Sequence, residues 1–199
     1  MQELNRDKFL RYLLIGICLL VVLGGFLYSS SSEKVDEMEP TIHAEVLSRG
    51  DEHHNPVIAL AKVVEEQPVL VIYEIDQQNQ YYFKVLHSVS LHNTVKTLGV
   101  TKEQNGIWVQ LEEKKWILFS ESLEVLQERD SAPSTVISSR QSFHIQEGTG
   151  FISIPRGADD VQLDLTDKSG EPKEIHSLSG DDSVWLVVFQ KDIVLARSR

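Results

Sequence analysis

Cysteine is nearly absent from this chain. The only one, Cys18, lies between Ile17 and Leu19 inside the one long apolar run. Everything after that run therefore lacks a thiol for a disulfide, a thiolate metal site or nucleophilic catalysis. The 171 residues after Tyr28, of 199 in all, build a sufficient core without such staples. Other chemistry-bearing patterns are missing too. No G-x-S-x-G elbow, glycine-rich phosphate cradle or H-E-x-x-H helix occurs. "DLTDKSGE", Asp164 to Glu171, has the composition of a calcium loop but carries Leu165 where the pattern demands a ligand. No cofactor is implied.

Positive charge is also scarce, with 19 Lys and Arg against 30 Asp and Glu. Three of the basic residues (Arg6, Lys8, Arg11) and two of the acidic ones (Glu3, Asp7) precede Ser29. The portion from Ser29 onward is therefore formally −12, against −11 for the whole chain. Such a surface repels phosphates, which excludes nucleic acid as the expected partner. It also repels anionic lipid headgroups.

What the chain does have is a membrane-length apolar stretch. From Tyr12 to Tyr28 no residue is charged, and roughly 17 to 20 such residues span a bilayer core as a helix. Tyr12 and Tyr28 stand where interfacial aromatics are favoured. The stretch is longer than a signal-peptide core, which predicts a retained anchor over a signal cleaved near Ser29–Ser31. Arg6, Lys8 and Arg11 before the span, and the acidic "SSEKVDEMEP" after it, place residues 1–11 in the cytoplasm and the body outside. The expected location is a bacterial cell membrane, single-pass, with an extracytoplasmic body. Gly16, Gly24 and Gly25 are positions where the span can pack closely on another helix.

The expected organisation is a stub (1–11), a transmembrane helix (12–28), a polar tether (29–55), a β-rich module (56–128), a linker (129–141) and a second β-rich module (142–199). The fold class is mainly β: one or two small barrel or sandwich modules, with a short helix near residues 57–66. That helix rests on Asn55 as N-cap, Pro56 at the first helical position, and Val57, Leu60, Ala61 and Val64 on one face, with a strand as the rival. Apolar, aromatic and β-branched runs flank "DQQNQ", and further ones surround "LEEKK", as hairpins do. After the Ser/Thr cluster around Pro133, six short strand-like runs follow, from "SFHIQ" to "DIVLARS". Ile107–Phe119 also lies on Val184–Ala196 with Trp108 matching Trp185, either as duplicated hairpins or as β-rich composition alone.

The segment "NGIWVQLEEKKWILFSESLEVL", Asn105 to Leu126, resembles the closing strands of a bacterial Src-homology-3-like domain. Trp108 comes one residue late, and Lys115 replaces the glycine that normally precedes the second tryptophan, here Trp116. The resemblance covers only these residues. It implies a small barrel and a cell-wall setting, and it assigns no binding residues.

Two residue sets are candidates for contact. Tyr81, Tyr82, Trp108 and Trp116 are aromatics of the kind enriched in binding hot spots. Asp51, His53 and His54 in "DEHHNP" are the densest set of metal ligands, in chemistry suited to zinc or manganese, although adjacent residues rarely reach one ion and the preferred reading is a solvated loop before a helix cap. The remaining histidines, among them His43, His87, His92, His144 and His176, are expected as surface or satisfied core residues. The leading expectation is a membrane-anchored, non-catalytic binding or regulatory protein acting on an envelope protein or cell-wall component. The alternatives are a metal-assisted extracytoplasmic hydrolase and a structural subunit of a membrane complex.

Overall fold

The computed structural model describes residues 41–77, 81–102, 106–146, 150–157, 159–168 and 170–198. The expected anchor at 12–28, with Gly16, Gly24 and Gly25, lies outside them. Among the described residues no helix is long and apolar enough to cross a membrane. Residues 40–199 form one compact unit.

Among the described residues fourteen strands build it: β1 His43–Ser48, β2 Val57–Val64, β3 Gln67–Asp76, β4 Tyr82–Ser90, β5 Val95–Val100, β6 Ile107–Leu111, β7 Trp116–Phe119, β8 Val125–Arg129, β9 His144–Gln146, β10 Phe151–Ile154, β11 Val161–Asp164, β12 Glu174–Ser177, β13 Val184–Val188 and β14 Ile193–Arg197. They form four open sheets, ordered β1-β2-β3-β4, β5-β6-β7-β8, β11-β10-β9 and β12-β13-β14. Every strand pair within them is antiparallel. The mainly β expectation holds; the sheets close no barrel among the described residues.

Period-two alternation distributes the apolar side chains among three cores. The first takes Ala59, Ala61, Leu70 and Ile72 from one face of the β1–β4 sheet, against Leu98, Ile107, Val109 and Ile117 of the β5–β8 sheet. The second takes Ala44, Val46, Ile58 and Leu60 from the opposite face, against Leu178, Val184, Leu186 and Val188. The third joins Ile175, Trp185 and Val187 to Ile152, Ile154 and Leu163. The β1–β4 and β12–β14 sheets are thus apolar on both faces.

That double burial corrects the expected helix at 57–66, which is β2 and its turn. Ile58 and Leu60 face one core while Ala59 and Ala61 face the other. A strand buried on both faces is continuously apolar and contains the helical spacing by accident. The β2–β3 connection, Glu65 and Glu66, takes left-handed φ of 48° and 66° at both positions, as a two-residue primed hairpin turn requires. Two glutamates carry no turn signal, so the hairpin is disguised as a helix end.

Two further segments differ from expectation. Residues 43–48, expected within the tether, are β1, with Ala44 to Leu47 buried. In the expected linker, Ile137 exchanges backbone hydrogen bonds with Val100 (2.8 and 2.9 Å). Arg140 bridges His176 in the same part of the chain.

Candidate functional site

A sheet edge presents unpaired backbone groups, and the two edges of the β1–β4 sheet are treated in opposite ways. On β1, the Ala44 amide donates to Glu174 Oε2 (3.0 Å) and the Val46 amide to Ser139 Oγ (3.1 Å). Just beyond, Gly50 donates to the Leu178 carbonyl (2.7 Å) and accepts from Gly180 (3.1 Å). Side chains and loops from the last third of the chain therefore seal this edge.

The seal is a buried polar clasp. Glu174 also accepts from His43 Nδ1 (2.8 Å), Arg140 Nη2 (2.5 Å) and, at 3.4 Å, His176 Nε2. Burial alone would push its carboxyl up, but these bonds and the Ala44 amide outweigh burial and hold it down at about 2. Glu45 accepts from the Ser139 amide and from Ser138 Oγ (2.9 Å). For Glu45 burial prevails, and its carboxyl lies above the usual range despite His176 and the two serines. Ser139 Oγ is 2.7 Å from His176 Nδ1. Ser139 Oγ also accepts from the Val46 amide, so this one hydroxyl links β1 to β12. Every member is engaged in holding β1, residues 138–140 and β12 together.

The β4 edge is the reverse. Seven of its nine residues are exposed, including Tyr82 at 64% and Val85 at 55%. It has no acidic residue, proline or glycine, and its only ionisable side chains are Tyr82, Lys84 and His87. Its described neighbours lie on the β3 side. The register slips between Ile72 and Tyr73, which pair with His87 and Val85 and leave Leu86 as a bulge. The bulge switches the faces of the strand. Before it Phe83 packs on the second core, and after it Val89 packs on the first. By contrast, the β8 edge is five residues long and bears Glu128 and Arg129, with Glu128 paired to Lys115. Short length and charge are the usual protections of an edge strand.

The four aromatic candidates separate on this background. Tyr82 is on the open edge. Tyr81, with a left-handed φ of 60°, packs on the second core and receives Arg197 Nη2 on its hydroxyl (3.2 Å). Trp108 and Trp116 are buried, 3% and 7% exposed, in an edge-to-face pair 6.5 Å apart. Arg129 covers the Trp108 ring at 5.7 Å. Val136 lies over Gly99, the cross-strand neighbour of Trp108.

Asp51 is committed to its own turn, accepting from the His53 and His54 amides (2.7 and 2.8 Å) and from His54 Nδ1 (3.0 Å). These bonds hold its carboxyl below the usual range. Among the described residues no group of three or more His, Cys, Asp or Glu side chains is arranged to hold a metal. A cleft of about 470 Å³ does bring Asp51 and Tyr81 together, with Gln77, Asp181 and Ser183.

Sequence reasoning missed the clasp, because its members lie far apart: Ala44 and Glu174 are 130 residues distant. The available signal was "EIHS" in β12, where two ionisable residues sit in a strand buried at all four positions. Compared with protein-family models the sequence matches none, and no curated protein matches it.

Proposed function

We propose that the chain is a membrane-anchored, extracytoplasmic, non-catalytic binding or regulatory protein, and that its β4 edge contacts a cell-envelope partner. The observation that carries this reading is the contrast between the two edges of one sheet. The β1 edge is sealed by buried side chains, whereas among the described residues the β4 edge stands open, with seven of its nine residues exposed, Tyr82, Val85 and Leu86 among them. Strand addition to such an edge takes its affinity from backbone hydrogen bonds and its specificity from alternate side chains. Tethering through residues 12–28 holds the edge near other membrane proteins and raises the effective concentration for a weak contact. The basic stub and acidic exterior favour the outward orientation.

The test places a photo-crosslinking residue at Val85 in the full chain in native membranes, with a second at Gln127 on β8 as control. A discrete adduct from position 85 and none from 127 is the expected result. Adducts from 127 alone, or a co-purified partner that never crosslinks at 85, refute the assignment. Protease added to spheroplasts checks the orientation; a soluble form beginning near Ser30 to Ser32 overturns the anchor.

A further inference from the structure

Resting on that reading, we propose that β4 takes a short extended segment of another protein, paired antiparallel along Tyr82–Val85, with a carboxylate opposite Lys84 and β-branched or aromatic side chains opposite Tyr82 and Val85. The backbone limits the register. The Ile75 amide donates to Pro56 on the β2 side, and the Leu91 amide donates to Pro68 on β3. Alternation from these two anchors leaves the amides and carbonyls of Phe83, Val85, Ser88 and Ser90 directed outward. The step from 83 to 85 is regular, while the Leu86 bulge puts an extra residue between 85 and 88. A regular partner strand therefore matches one arm of β4 and not both. The lower arm, Tyr82–Val85, offers aromatic and β-branched side chains; the upper arm offers His87, Ser88 and Ser90.

Lys84 sets the charge of the occupant. Its own hydrogen-bonding groups point to β3, so a partner residue opposite it stands in the close, non-hydrogen-bonded position, where side chains interact most directly. Its β3 neighbour is Glu74, but that carboxylate accepts from Asn55 Nδ2 (3.1 Å). Lys84 has no ion pair among the described residues. A second copy of this chain is a poorer occupant. Antiparallel pairing of two such arms sets outward residues against each other, Phe83 against Val85, so Lys84 meets Lys84; like charges then stand opposite, no carboxylate is supplied, and two strongly acidic bodies are brought together.

The test uses the full chain in detergent micelles and two capped, dye-labelled peptides of alternating valine and threonine, one with a central glutamate and the other with a central lysine. The expected result is a roughly two- to five-fold preference for the glutamate peptide, shrinking with added salt and inverting in Lys84→Glu. Val85→Pro abolishes binding of both, since it removes an outward donor and leaves the β3 ladder intact; an unchanged thermal melt checks the fold. Failure of both peptides to bind at millimolar concentration, equal binding, or no inversion in Lys84→Glu overturns the proposal. So does a concentration-dependent dimer that Val85→Pro dissolves, which makes the second copy the occupant. If Val85 crosslinks a membrane partner while the peptides show no charge preference, the binding role stands and the partner chemistry proposed here falls.

Discussion

Replacing Glu174 by glutamine removes one charge from the clasp and changes little in volume. A carboxyl held at about 2 against an ordinary value of 4.5 stabilises the folded state by about 3 kcal/mol at roughly 1.4 kcal/mol per pH unit. The side chain is only 3% exposed, so solvent does little to screen this contribution. Its sign follows from the folded-state value lying below the unfolded one. The stabilisation is complete above about pH 4.5 and is lost as pH falls toward about 2. Urea unfolding of the full chain in micelles, followed by tryptophan fluorescence, should show Glu174→Gln less stable by about 3 kcal/mol at pH 7. That is a large share of the roughly 5–15 kcal/mol a domain possesses. The two proteins should converge as the pH approaches 2.5. A gap below about 1 kcal/mol at pH 7, or one that persists in acid, refutes the account of the clasp.

Glu45→Gln should act in the opposite direction. The Glu45 carboxyl lies above its ordinary range in the folded state, so its contribution is most favourable in acid and declines as pH rises; the substitution should leave stability unchanged or raised at pH 8 in the same unfolding assay. Gly99→Ala places a methyl 2.2 Å from Val136 Cγ1 and should lower the thermal midpoint by several degrees, with Val136→Ala restoring part of it; full additivity of the pair refutes the contact. In limited proteolysis, residues 136–140 should resist cleavage because Ile137, Ser138, Ser139 and Arg140 are all hydrogen-bonded, and an early cut there in sequenced fragments contradicts this.

Strand content was legible in the C-terminal residues because their turns are marked by glycine, aspartate and lysine, and runs such as "VWLVVF" exceed any helical stripe. The failures have a common physical origin. β2 reads as a helix because two cores claim its opposite faces, and β1 reads as tether because Glu45 and His43 interrupt its apolar pattern. Glu45 is buried and His43 half-buried, and the partners of both are supplied from residues 138–176. The aromatic candidates divided for the same reason. Trp108 is covered by Arg129, which local alternation cannot reveal, whereas Tyr82 is exposed because its strand ends a sheet.

The sealing of β1 also has a consequence in time. Synthesis runs from the N-terminus, so β1 is the first of the described strands to be made, while the Glu174 that closes its edge follows Ala44 by 130 residues. At about 5–20 residues per second this leaves roughly 7 to 26 seconds in which the edge has no lasting partner. Throughout that interval the β1–β4 sheet carries two open edges, β1 and β4. Neighbouring nascent chains, or a holding chaperone, therefore meet a more adhesive molecule than the finished one. A truncation that stops before Glu174 should aggregate even though β1 to β8 are all present.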